Sequence, residues 1–466
     1  MVTSIAARVI GLAGTLILTR FIAPAEYGEV SAASVSTLTA SNLMFFAFGQ
    51  YVIAKKSPPE EAFQAWLLHL LLGVVAMAFT VVFRVEVATF VGSAEAARFI
   101  PGFAVVVILD RGRYMAERVL VRDLRFRSVA LVNTVGELTF TATAVAMAVI
   151  GFGPWSVMGG AMARGVVTFV LFLIAAPRAE WLRPSPIKKD VVKALFGFGT
   201  PIMLSSAADR AASTWDNLLM MRIFGPQVMG AYALSYSLAE TPLIYVAERM
   251  SDVLMPAFAK MEPQERTSAV VRAAGLMALV VAPLGVGLSA VAPAVVRGFF
   301  DARWTGMAAI LSMLSVMTIF QPSAWPAIAY LQVESKTRLI MIMSFVRAVL
   351  VLSGVAVFGW LGGPVAACAG VGFGFAVHSI LTVFVTAKNT DLPAAAYFGG
   401  VVRPFLACVP MWLGVSGLQA LMTSHGVPVF AILATDIVAG AVLYIGAAFL
   451  LARSNVREML RLVRRR

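Results

Sequence analysis

This sequence predicts an all-α polytopic membrane protein: about fourteen transmembrane helices, arranged as two six-helix lobes with two further helices after them. Three observations carry that prediction. Hydrophobic residues make up 60% of the chain and charged residues 13%, against roughly 25% charged in an ordinary soluble domain, so its surface is not made for water. Apolar runs recur at the length of about 20 residues that crosses a hydrocarbon core of about 30 Å. The opening of the chain is also repeated. MVTSIAARVIGLAGTLILTRFIAPAEYG (1–28) lies without a gap over MLSSAADRAASTWDNLLMMRIFGPQVMG (203–230). The overlay sets Arg8 on Arg210, Arg20 on Arg222, Pro24 on Pro226 and Gly28 on Gly230. An apolar span closed by Arg-x3-Pro-x3-Gly and used twice at this separation marks a large lobe built twice, not a solenoid of small units.

Taken in order, the first six spans lie near 4–22, 29–53, 63–83, 97–118, 128–150 and 153–176, forming an N-terminal lobe over 1–176. The hydrophilic stretch PRAEWLRPSPIKKD opens a linker at 177–197. The C-terminal lobe, 198–390, holds spans near 198–222, 228–249, 271–296, 305–330, 337–359 and 363–387. Two more spans, near 397–421 and 427–452, fill 391–452 and have no counterpart in the repeat; a basic tail, 453–466, follows.

The net charge of +13 does not point to nucleic acid, because the cations sit in alternate gaps between spans. One set holds Lys55 and Lys56, the arginines from Arg118 to Arg127, the 178–193 linker cations, Arg249 to Arg272, Lys336 and Arg338, Lys388 and the tail. The other set holds only Arg20, Arg84, Arg98, Arg222, Arg297 and Arg303. The positive-inside rule then places both termini and the linker in the cytoplasm. Six spans per lobe make the repeats parallel, related by a pseudo-twofold axis along the membrane normal.

Several function classes drop out. Cys368 and Cys408 lie inside apolar runs, so no disulfide framework or thiolate metal site is expected. His69, His378 and His425 are scattered, without H-E-x-x-H spacing, and no P-loop is present. The loops opposite the basic gaps, such as GFGP, GPQV and WLGG, are too short for a catalytic domain. No enzyme, metal or cofactor is expected, and Met1 leads into the first span without a removable signal peptide.

A set of landmarks is similar to a known family. LTRFIAPAEYG (18–28), FGQYVIAKKSPPEEAF (48–63), RDLRFRSVAL (122–131) with GFGPWSV (151–157), STWDNLLMMRIFGPQVMGAYALSY (213–236) and VLMPAFAKM (253–261) resemble, in order and spacing, the polysaccharide-transport branch of the multidrug/oligosaccharidyl-lipid/polysaccharide (MOP) flippases, the Wzx-type exporters. The resemblance implies a flippase of undecaprenyl-pyrophosphate-linked oligosaccharide in a bacterial inner membrane, working by alternating access on an ion gradient or the membrane potential. It implies membrane lipids and polysaccharide polymerase or co-polymerase proteins as partners, H⁺ or Na⁺ as coupling ion, and no nucleic acid. The alternative is a multidrug or organic-cation antiporter of the same superfamily, which would call for acids and aromatics without a surplus of arginine.

A charge at the bilayer centre costs about 3 kcal/mol on insertion scales, so each one asks for a partner or a function. In span seven Asp209 and Asp216 stand two turns apart on one face, beside Arg210 and Asn217. They form either a coupling site for a proton or Na⁺, or an acid–arginine pair that neutralises itself. In span four LDRGRYMAERVLVR (109–122) puts Asp110, Arg113, Tyr114 and Glu117 on one face, with Arg111 and Arg118 beside it. Arginine's planar fork suits a pyrophosphate, which makes Arg111 and Arg113 substrate candidates; the competing reading is a helix end whose cations snorkel to the interface. Arg8, Arg210, Arg164 in span six and Arg347 in span eleven complete the substrate candidates. Glu240, before the kink expected at Pro242, joins Asp110, Asp209 and Asp216 as coupling candidates.

Overall fold

The computed structural model describes Gly11 and residues 14–464. Among these residues every regular element is a helix. Nine helices are long and apolar enough to cross a membrane, and the bent pair Pro24–Leu43 and Phe48–Lys55 makes ten. Two helices within these spans, Lys189–Ser251 and Thr337–Asn389, have 63 and 53 residues. At 1.5 Å per residue each would run for roughly 80–95 Å if straight, far beyond any bilayer. Both break instead, at Gly225 (φ 80°, ψ −179°) and at Gly362–Gly363 (Gly363 φ 75°, ψ −164°).

The breaks share one cause. Proline disfavours helical backbone at the residue before it, and only glycine takes positive φ with ψ near 180° without strain. Gly225 precedes Pro226 and Gly363 precedes Pro364; Gly153, at φ 53°, precedes Pro154. The pairs at 153–154 and 363–364 are hairpin corners in two residues, since the helices on either side pack together. In all three pairs the proline stands at the start of the next helix, where its missing N–H costs nothing.

The chain divides into two compact units, Met1–Gly230 and Ala231–Arg466. In the first we number α1 Pro24–Leu43, α2 Phe48–Lys55, α3 Pro59–Val82, α4 Arg84–Val91, α5 Ile100–Arg122, α6 Phe126–Ile150, α7 Trp155–Ala175 and α8 Lys189–Ser251, which runs past Gly230. α1 packs on α3 and α5, α3 on α5, and α7 on both α5 and α6. Small residues let backbones approach, as membrane helix pairs require: a Cβ on Gly160 of α7 would lie 2.9 Å from the Phe140 carbonyl of α6. The repeat boundary and the packing boundary differ. The start of α8 belongs to the first unit, where Phe196 meets Phe46 and Phe48 edge-on at 4.9 and 5.3 Å between ring centres.

In the second unit follow α9 Leu254–Lys260, α10 Pro263–Phe299, α11 Met307–Met317, α12 Trp325–Val333, α13 Thr337–Asn389, α14 Ala394–Ser424, α15 Val429–Leu451 and α16 Arg453–Arg464. α10 packs on α11, α14 and α15, and α14 on α15. The two arms of α13 fold against each other, since a Cβ on Gly370 would touch the Gly354 backbone. Pro242 does not break α8: its non-helical residue is Gly225 alone, and the backbone stays helical past Glu240.

The two copies of the repeated motif meet inside the first unit. Gly28, one turn into α1, lies against Pro226, and Gly230 lies against Pro24. A Cβ on Gly28 would sit 2.9 Å from the Gly230 nitrogen, and one on Gly230 would sit 3.0 Å from the Gly28 nitrogen. The contact is symmetric because the sequence is.

Candidate functional site

The second span is where the site begins. Between Leu43 and Phe48 the helix is interrupted, with Ala47 in left-handed backbone (φ 51°) and a 45° bend from α1 to α2. A helix end leaves carbonyls without partners, and hydrocarbon offers no water to satisfy them. Arg111 of α5 fills that need. Its Nη2 donates to the Ser41 carbonyl and, at 2.9 Å, to Ser41 Oγ; Nε donates to Ser41 Oγ at 3.2 Å. Nη1 donates to the Met44 carbonyl at 3.1 Å and lies 3.3 Å from the His69 ring. The guanidinium stands 5.3 Å over Phe45, while His69 stacks on Tyr114 at 4.3 Å. Gly73 of α3 leaves the room, since a Cβ there would fall 2.7 Å from Arg111 Cγ.

Arg111 is thus only 3% exposed and engages all of its nitrogens within the protein. In this arrangement Arg111 braces the broken span and turns no free donor toward a phosphate. His69 is fully buried beside it as a packed, hydrogen-bonded residue.

Along α5 the other charges form a ladder. Arg113 Nε donates to Asp110 at 2.7 Å and Nη1 to Glu117 at 2.9 Å, while Arg118 donates to the other oxygen of Glu117 at 2.8 Å. The two Arg113 pairs are the i, i+3 and i, i+4 steps that face each other on a helix, and Arg118 is the sequence neighbour of Glu117. All four side chains keep partial exposure. Arg113 also lies 5.1 Å over Phe172, and its Nη2 makes no hydrogen bond among the described residues. Asp110 and Arg113 are therefore brought together, and Arg113 keeps a donor edge to offer, as does Arg118, whose buried Nε makes no hydrogen bond among the described residues.

Arg164 of α7 donates to Glu137 of α6 at 2.9 Å. Glu137 is a residue the sequence reading passed over, although an acid inside an apolar run was itself the signal. Both groups are about 40% exposed, so the pair contributes little stability, about 0–1 kcal/mol. Exchanging the charges, Arg164→Glu with Glu137→Arg, is expected to restore the membrane level of either single variant to within about twofold of wild type on an immunoblot. If the exchange leaves export abolished, Arg164 acts on something other than Glu137.

In α8, Asp216 is fully buried, and its Oδ1 accepts from the backbone and side-chain amides of Asn217 at 2.8 and 3.0 Å. Asp209 is half-buried and Arg210 exposed. In the second unit Glu240 is half-buried, and Arg347 is half-buried on the first arm of α13. Arg8 lies outside the described residues.

The second unit also holds an apolar cavity of about 450 Å³ between α10, α14 and α15, lined by Pro283, Leu284, Gly287, Met411, Tyr444 and their neighbours. Its one charged lining residue, Asp436, is fully buried and accepts from Gln419 Nε2 at 3.0 Å.

Comparison with known proteins adds the family. A model described as polysaccharide biosynthesis protein matches residues 17–309. The chain belongs to that family. The matched region takes in every site candidate from Asp110 to Glu240. Over its length the family member is 24% identical to the succinoglycan biosynthesis transport protein ExoT of Rhizobium meliloti, covering 97% of this chain and 91% of the relative. Its fold is similar to that of the lipid II flippase MurJ in an inward closed conformation, with TM-score 0.79 at 12% identity over 98% of this chain and 99% of that one. An inward-facing MATE multidrug transporter of the MOP superfamily gives TM-score 0.64 at 15% identity, over 84% and 95%. The chain is thus a polytopic helical membrane protein of the MOP fold.

Proposed function

We propose that this protein translocates an undecaprenyl-pyrophosphate-linked oligosaccharide repeat unit across a bacterial inner membrane, from the cytoplasmic to the outer leaflet. The observation that carries the reading is membership of a polysaccharide biosynthesis family by a chain whose fold follows a lipid II flippase from end to end. A sugar headgroup and a diphosphate cannot cross hydrocarbon unaided, so they need a polar path, while the polyprenyl tail can stay in lipid. The apolar cavity between α10, α14 and α15 suits such a tail. Arg113, Arg164, Arg210 and Arg347 are the substrate-phosphate candidates; Asp209, Asp216, Glu240 and Asp110 are the candidates for a coupling H⁺ or Na⁺. Both termini face the cytoplasm in this reading, by the cation distribution between spans, and polysaccharide polymerase or co-polymerase proteins are the natural partners.

Deletion of the gene followed by lipid analysis tests the proposal. Lipid-linked oligosaccharide is expected to accumulate in the cytoplasmic leaflet while surface polysaccharide disappears. Drug sensitivity with normal glycans would instead mean an antiporter.

A further inference from the structure

A second cavity, far in sequence from the residues above, has a different chemistry. α10, α14 and α16 enclose about 510 Å³. Small residues, among them Gly275, Gly399 and Gly400, make part of the wall, and Arg272, Arg403, Arg457 and Arg461 line the rest with Glu458 as the one acid. That acid cannot neutralise them. One carboxylate is shared between Arg272 at 3.6 Å and Arg461 at 3.7 Å, which leaves a surplus of positive charge on the wall. Arg403 donates to the neutral Ser454 hydroxyl at 3.3 Å, and Arg457 has no carboxylate in reach among the described residues.

The cavity is built, not a chance gap. Asn455 is 7% exposed and its Nδ2 donates to the Gly400 carbonyl at 2.9 Å, with Gly275 leaving space for the amide. This bond and the buried Ala452 pin α16 to α10 and α14. α16 carries Arg453, Arg457, Arg461 and Arg464 at successive turns, while Met459 and Leu460 stay exposed at 42% and 43%. A basic amphipathic helix that follows directly on a membrane span lies in the interface, with its apolar side chains at acyl depth and its cations at phosphate depth. The cavity therefore sits where headgroup phosphates are.

We propose that this cavity holds the phosphate of an anionic phospholipid, on the side of the membrane that carries the basic tail. Arginine forks match phosphate oxygens in pairs, and basic pockets beside membrane helices select acidic headgroups by the same charge balance. The inference needs only that the chain spans a membrane, so it stands or falls apart from the flippase reading.

Native mass spectrometry of the purified full-length protein, titrated with phosphatidylglycerol, phosphatidylcholine or inorganic phosphate, tests it. Wild type is expected to hold phosphatidylglycerol about tenfold more tightly than phosphatidylcholine. The double variant Arg403→Gln, Arg457→Gln is expected to lose that preference. Ala396→Trp, which fills the space and keeps every charge, is expected to lose phosphatidylglycerol as well. Unchanged melting temperatures in lipid-free detergent check that both variants are folded. Equal affinity of wild type for the two lipids overturns the proposal, as does unaltered phosphatidylglycerol binding by either variant. Displacement of the lipid by millimolar inorganic phosphate also overturns it, in favour of a soluble-anion site.

Discussion

Gly28→Leu is expected to abolish polysaccharide export while the protein still reaches the membrane. Gly28 and Gly230 are repeat mates, and each has the other's proline-bearing turn where a side chain would go. A leucine at either position overlaps backbone, which cannot swing aside as a flexible side chain can. Overpacking of this kind costs about 3 kcal/mol, and that lowers the population of the crossed arrangement about a hundredfold. If alternating access requires the crossing to form and part in each cycle, export stops. Gly230→Leu should behave the same way, and the double variant no worse, because one contact is lost in all three. Gly417→Leu is the control, since nothing lies within 4 Å of a Cβ there. Surface polysaccharide and membrane protein level are the readouts. Full export by Gly28→Leu at normal protein level would show that the crossing is static packing.

Arg111→Ala is expected to lower the amount of folded protein, not export alone. Its guanidinium is the partner of the Ser41 and Met44 carbonyls at the break in the second span. Removing it takes the donor from the Met44 carbonyl and the buried Ser41 hydroxyl and empties the space its side chain fills beside His69. A lost buried partner costs about 1–3 kcal/mol, a large share of a total stability of about 5–15 kcal/mol. Arg111→Lys should fail nearly as badly, since one ammonium cannot serve Ser41, Met44 and the His69 ring with the geometry of a fork. Arg113→Ala should do the reverse: normal level, export reduced at least about tenfold, because one charged hydrogen bond to a substrate phosphate is worth about 1.5–3 kcal/mol. Membrane level, melting temperature and export separate the two. An Arg111→Ala protein that is abundant and heat-stable yet exports nothing would return Arg111 to the substrate.

The second span shows where the sequence stops being legible. Residues 44–47 are Met-Phe-Phe-Ala, with no glycine or proline to announce a break, so 29–53 reads as one continuous helix. The interruption holds because an arginine about 70 residues away reaches its carbonyls, and no local pattern records that. Pro242 errs in the other direction. It promises a kink, yet the backbone stays helical there and the real corner is Gly225 before Pro226. The charged residues follow the same rule. That Arg164 needed a partner was plain from its place in an apolar run; that the partner is Glu137 depended on which faces of α6 and α7 meet.

Membrane insertion, the all-helical class, the duplicated motif and the family landmarks were all determined by the sequence itself. They rest on quantities that add up residue by residue along the chain, such as transfer free energy per span and the backbone preferences of Gly-Pro. Which arginine braces the fold and which keeps a free edge was decided only in three dimensions, as was the contact of the repeat mates and the basic cavity beside α16. A hydrogen bond is directional and short, so its partner is chosen by what packing brings within about 3 Å, and sequence distance carries no trace of that choice.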